Sequence, residues 1–210
     1  MSSTIKFAWR GVALAVQPRI RLLRSFDERS HSDLGYVIFL DGELNGEHRP
    51  FSVGLGKAAY LKHAVRRGDE VSGQAAPVPD PSLEIADLYK ASKLKVHEQG
   101  PDDSTPPPWH MVAPELAAYR SRGHRRLDPR TYRSKCESCN WGCRMPVEII
   151  TDKWNPARTQ HRFETFCYGP LSCALYRAGP NRTVTGRKGM TFVEEDWVDQ
   201  DSTIHRSPDE

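Results

Sequence analysis

The stretch Leu34-Gly-Tyr-Val-Ile-Phe-Leu40, followed at once by Asp41-Gly42, decides how the first half of this chain is read. β-Branched and aromatic residues crowd it, and such side chains suit a pleated, half-buried surface. Asp-Gly closing a β-rich run is a hairpin signal, because both residues tolerate the left-handed backbone of a tight turn. A strand here needs partners on either side. Upstream, Ile5 to Val16 alternates loosely, with Gly11 where a long first strand can bend. Ile20 to Phe26 continues extended after Pro18, and Asp27 to Asp33 reads as a polar turn. Downstream, Phe51 to Leu55 begins a third strand. Lys57 to Arg66 then places Ala58, Leu61, Ala64 and Val65 at helical spacing. Glu70 to Ala76 and Ala91 to Val96 supply a fourth and a fifth strand.

Three strands, a short helix and two more strands is the order of an oligonucleotide/oligosaccharide-binding barrel, the OB-fold. Residues 5–97 resemble that superfamily in the glycine midway along strand one and in the turn Gly68-Asp-Glu-Val-Ser-Gly73. The resemblance covers under half of the chain and implies a binding face on strands two and three. Alternation puts Val37 and Phe39 on one side of strand two and Tyr36 on the other, so Tyr36 is expected on the surface as a stacking platform.

The remainder divides by composition. Residues 98–118 form a proline-rich linker with one short helix, 119–199 a basic segment and cysteine-rich module, and 200–210 an acidic disordered tail. Sixteen prolines and a mean hydropathy of −0.64 fit modest cores with long polar connections. The expected fold class is mainly β with short helices, a small OB-like β-barrel plus a metal-stabilised β-hairpin/knuckle module.

All five cysteines fall in that last module. Cys136, Cys139 and Cys143 follow C-x2-C-x3-C, and Cys167 and Cys173 follow C-x5-C. A CxxC turn presents two sulfurs to one ion, and a second cluster downstream completes a tetrahedral thiolate set. An odd count fits poorly with complete disulfide pairing. The expected ligands are Cys136, Cys139, Cys167 and Cys173, with Cys143 as a substitute. Val147 to Thr151 and Arg162 to Cys167 read as a hairpin joining the clusters. The topology resembles a zinc ribbon, from which C-x5-C departs, and the module, with Arg162-Phe-Glu-Thr-Phe-Cys-Tyr-Gly-Pro170 at its centre, resembles a recurring bacterial cysteine module. Zn2+ is the expected ion, holding together a region too polar to fold alone. A [4Fe-4S] cluster is the alternative, since three cysteines within eight residues and a distant fourth also suit iron, with Trp141 and Met145 as a shield.

From Tyr119 to Lys135 six arginines and one lysine stand against a single aspartate. Guanidinium groups pair with phosphates and stack on bases. Arg120, Arg122, Arg125, Arg126, Arg130 and Arg133 are therefore expected to bind nucleic acid, together with Arg187 and Lys188 in a second basic loop. His110, His124 and His205 lie in polar or basic surroundings and read as exposed.

No P-loop, dinucleotide fingerprint, G-x-S-x-G or HExxH is present, so no catalytic residue is assigned. No stretch approaches a membrane span and no signal peptide is evident, which points to a cytoplasmic protein. The expected function is non-enzymatic, metal-stabilised binding of RNA or single-stranded DNA. The alternatives are an iron–sulfur protein with a redox or sensing role and an adaptor for a protein partner.

Overall fold

Two long strands dominate the chain. In a computed structural model describing residues 5–101, 112–152 and 154–207, β1 runs over Phe7–Arg24 and β2 over Arg29–Leu44. They pair antiparallel from Trp9↔Leu44 to Arg24↔Arg29. β1 passes through Pro18 without a break. It bends not at Gly11, which pairs with Gly42, but at register shifts between Ala13 and Ala15 and between Arg19 and Ile20. Bulges of this kind add a local kink and extra twist to a strand.

The hairpin turn also differs from the expected one. Asp41-Gly42 lies inside β2, and the chain turns instead at Asn45-Gly46 into β3, Glu47–Leu55. Asn45 and Gly46 both take positive φ, 52° and 88°. That is the turn whose twist matches the flanking strands, and asparagine followed by glycine is the pair that adopts it most easily.

α1 (Lys57–His63) follows, then β4 (Glu70–Pro77) and β5 (Leu88–Glu98). β4 pairs antiparallel with β1 and β5, and β3 touches β5 in parallel at Val53↔Leu88. The pairing thus closes on itself in the order β1-β2-β3-β5-β4-β1. Trp9, Ile38, Leu40, Phe51, Val53 and Val71 fill the interior, each at 4% exposure or less. Burying such a side chain is worth roughly 1.5–3 kcal/mol. Tyr60 of α1 closes one end, its ring 3.8 Å from that of Tyr36.

The second half is hydrogen-bonded to the first through β1. After α2 (Leu116–Arg122) and the short β6 (Arg125–Arg126), the hairpin β7 (Gly142–Ile150) and β8 (Thr159–Cys167) forms as expected, though longer at both ends. β7 lies parallel to the tip of β1 at Leu22↔Val147 and Arg24↔Ile149. β6 pairs with the end of β8. One sheet therefore contains eight strands, and β9 (Arg182–Thr185) with β10 (Thr191–Glu194) makes a separate pair. The fold is mainly β.

The acidic run at the end does not behave as a solvated tail. Residues Asp196–Thr203 form α4, with Asp196 and Asp199 in its first turn, where acids suit the helix dipole. Asp199 accepts bonds from the Arg126 backbone N–H (2.8 Å) and from its Nε (2.9 Å). Arg206 then donates to the Gly169 carbonyl at 2.7 Å. The acids order because Arg126 is buried and requires counter-charges. The linker residues 102–111 lie outside the described residues, as do 208–210.

Candidate metal centre and nucleic-acid groove

The knuckle that carries the first cysteines begins at Asp128, whose carboxylate accepts from the Thr131 N–H at 2.8 Å and so caps the turn α3 (Pro129–Thr131). The chain continues as one wider π-helical turn, Tyr132–Cys136. Cys139 N–H then donates to the Cys136 carbonyl at 3.1 Å and Gly142 N–H to the Cys139 carbonyl at 3.0 Å. No side chain fits at Gly142, where a Cβ would sit 2.4 Å from the Cys136 carbonyl oxygen.

The knuckle rests on β1 through one side chain, Gln17, which is fully buried. Its Nε2 donates to the carbonyls of Cys136 (3.0 Å), Glu137 (3.0 Å) and Cys139 (2.9 Å), and its Oε1 accepts from the Tyr132 hydroxyl at 2.7 Å. A lone amide in the apolar run Ala15-Val16-Gln17 was the only sequence signal for this role.

Cys136, Cys139, Cys167 and Cys173 influence one another electrostatically, and Cys143 stands apart from them. Burial pushes the Cys136 thiol up to about 12, with Cys139, Cys167 and Cys173 each adding to the rise. Cys139 is raised to about 11, again chiefly by burial; Cys167 and Cys173 add to the rise, and the Trp141 and Gly142 backbone N–H groups oppose it. Burial also raises Cys167, against the pull of the Gly169 N–H, which lies 3.4 Å from its sulfur, and of Arg125. Cys143 is raised by burial alone, and its Sγ donates to the Pro18 carbonyl at 3.5 Å. Among the described residues, no three Cys, His, Asp or Glu side chains are drawn together closely enough to hold an ion as they stand.

The loop after Cys167 is held by arginines. Arg122 Nε donates to the Tyr168 carbonyl (2.8 Å), Arg206 to that of Gly169 (2.7 Å), and Arg125 to those of Pro170 (2.9 Å) and Leu171 (3.3 Å). Four successive carbonyls thus point outward into guanidinium groups. The Arg122 guanidinium also lies over the Trp141 ring and that of Arg125 over Tyr176. These two arginines brace the cysteine loop rather than present a free cationic surface.

Arg126 is further from the expected role. It is 1% exposed and donates to Asp199, Asp196, Asn181 and the Glu194 carbonyl. Arg120 is exposed but paired with Asp33. Tyr36 is buried too, stacked on Tyr60 with its hydroxyl donating to the Pro114 carbonyl at 3.0 Å. The two faces of β2 are the reverse of the expected ones: Tyr36 lines the barrel interior and Phe39 looks out. His124, expected at the surface, is buried at 8% exposure. His110 and the Arg187 side chain lie outside the described residues. Arg130, Arg133 and Lys188 are exposed as expected.

Three exposed basic side chains border a groove of about 450 Å³. Phe39 of β2 and Pro50 and Phe51 of β3 line it together with Arg133, Lys135, Glu137 and Arg144; Phe39 is half-buried and Phe51 buried. Arg144, which the sequence did not single out, lies over the Phe163 ring at 4.1 Å. Asp87 also lines the groove, but its carboxylate is taken up by the Ser52 N–H and hydroxyl, both at 2.8 Å.

Among the described residues no helix is long and apolar enough to cross a membrane. Comparison with protein-family models, with curated proteins and with solved structures gave no match.

Proposed function

We propose that this chain binds a single-stranded nucleic acid, RNA or DNA, in the groove between the β2–β3 face and the Arg133–Ser138 turn. The observation that carries this reading is the groove itself, whose lining joins the half-buried Phe39 ring to three exposed cationic side chains. Bases stack on exposed aromatic rings while guanidinium and ammonium groups follow the backbone phosphates. The closed strand circuit with a helix between β3 and β4 supports an OB-like barrel, a fold whose second and third strands form such a face.

A zinc ion held by Cys136, Cys139, Cys167 and Cys173 belongs to the same reading. Four thiols in mutual electrostatic reach suit a soft-ligand ion, whose charge would offset the burial that raises them, and backbone N–H groups at Cys139 and Cys167 already oppose part of that rise. The arginines on the Tyr168–Leu171 carbonyls offset the excess negative charge of four thiolates. When bound, the ion supplies crosslinking, and Cys136 ends the turn that carries Arg133 and Lys135 into the groove wall.

Fluorescence anisotropy with labelled oligo-dT and oligo-U tests the binding. Affinity should fall steeply with salt, by about 0.7 in log K per log unit of salt for each phosphate neutralised. Charge reversal of Arg133, Lys135 and Arg144 together should abolish it. Wild-type chain that fails to bind at low salt, or a triple variant that binds equally well, would end the proposal. Metal analysis gives the second arm: one zinc per chain, kept by Cys143→Ser and lost by Cys136→Ser. A brown preparation would replace zinc with iron.

A further inference from the structure

A second cavity, of about 350 Å³, lies away from the groove and shares no lining residue with it. It sits where Ile20 and the His31–Asp33 part of the long hairpin face Tyr119, His124 and Tyr168. His124 is 8% exposed, and its ring meets His31, Phe166 and Tyr168 only edge-on, with centroids 5.3, 4.4 and 5.5 Å apart. Its backbone N–H reaches Ser202 Oγ at 3.2 Å. His31 Nε2 is buried without a partner among the described residues. Tyr168, 3% exposed, brings its hydroxyl-bearing ring to the same cavity.

Buried polar groups are almost always satisfied, so the unpartnered His31 Nε2 on this cavity requires an account. The surrounding charges say which ligand would satisfy it. Arg29 and Arg120 line the cavity, and Asp33, its single carboxylate, is already paired with Arg120. Arg29 reaches Glu194 only at 3.5 Å. Burial first, and then these arginines together with Arg24, disfavour a charged imidazole at His31. Guanidinium and hydroxyl groups supply donors in excess of acceptors, a balance that opposes a metal cation and suits an acceptor-only ligand.

We propose that this cavity binds a small oxyanion of the phosphate-monoester class, its oxygens accepting from Arg29, His31, His124 and Tyr168. The volume exceeds that of a bare phosphate, and the Ile20 side chain and tyrosine rings give the organic part of a monoester an apolar wall. This site stands independently of the groove, and its failure would leave the nucleic-acid reading untouched.

Calorimetric titration of the full chain separates the sources of the oxyanion by using inorganic phosphate, adenosine 5′-monophosphate and adenosine as probes. The monophosphate should bind at one saturable site more tightly than phosphate, and adenosine should not bind. NMR shifts of the His31 and His124 ring protons should move together with the titration. His31→Asn and Arg29→Gln, each checked for native circular dichroism, should each weaken binding about tenfold or more, the scale of one lost charge-assisted contact. The proposal is overturned by no saturable binding of either phosphate compound, by unchanged affinity in both folded variants, or by adenosine binding as well as its monophosphate.

Discussion

Replacing Gln17 by leucine removes four hydrogen bonds while keeping the side-chain volume nearly constant. Two of the three carbonyls it serves keep a partner, since Cys136 O still accepts from Cys139 N and Cys139 O from Gly142 N. The Tyr132 hydroxyl, 2% exposed as a residue, loses its one acceptor among the described residues. Orphaning such a group costs about 1–3 kcal/mol, and each carbonyl that loses one of two bonds costs about 0.5–1.5 kcal/mol. The apolar leucine offsets part of this by burial, leaving a net loss of roughly 2–4 kcal/mol. For a chain of this length that is a fall in Tm on the order of 10 °C. Guanidinium unfolding followed by tryptophan fluorescence suits the measurement, because Trp141 sits beside the knuckle. Tyr132→Phe alone should cost about 1 kcal/mol, and the double variant should be less destabilised than the sum by about 1 kcal/mol, since no hydroxyl is then stranded. A Gln17→Leu protein within half a kcal/mol of wild type (about the scatter of such data), or strictly additive single variants, would refute the claim that this amide anchors the knuckle.

Two further outcomes follow from the same geometry. Arg126→Ala should destabilise by about 3–5 kcal/mol, because it strands Asp199 without its buried partner; restored stability in Arg126→Ala/Asp199→Asn, read by thermal unfolding, separates this from simple loss of packing. Gly142→Ala should displace the Cys136 carbonyl and, under the zinc reading, lower metal content without altering the barrel, which metal analysis and far-ultraviolet circular dichroism together detect; full metal content would contradict the tight turn described for Gly142.

The barrel was legible because its signals are local. Periods of two in β1 to β5 and the turn residues between them are set by neighbours in sequence; the helix over 57–66 was legible as an element but not in its face, since it ends at His63 and buries Tyr60 while Leu61 is exposed. Where the reading slipped, two local signals competed or a distant partner decided. Asp41-Gly42 and Asn45-Gly46 are both good turn pairs, and the partner strand's register selects the second. Tyr36 and Phe39 are both aromatic on one strand, and only Tyr60 on α1 decides which points inward. The basic run deceived more deeply. Composition records Arg122, Arg125 and Arg126 as free charge, whereas carbonyls 168–171 and the acids of α4 absorb all three, and nothing within the run announces those partners. Gln17 and Arg144 act across the whole chain and left almost no trace.

Because β1 pairs with β4 along one stretch and with β7 along another, neither half of this protein has a boundary where the chain can be cut cleanly. A fragment ending after β5 would bare the edge at Leu22–Arg24 and leave Gln17 facing solvent beside Val37, an open strand of the kind that recruits other chains. Registering Leu22 beside Val147 also means that the terminal stages of folding wait on a contact between distant segments, which favours slow, all-or-none assembly. Anyone dissecting this molecule should therefore silence one half by point substitution and leave the polypeptide whole.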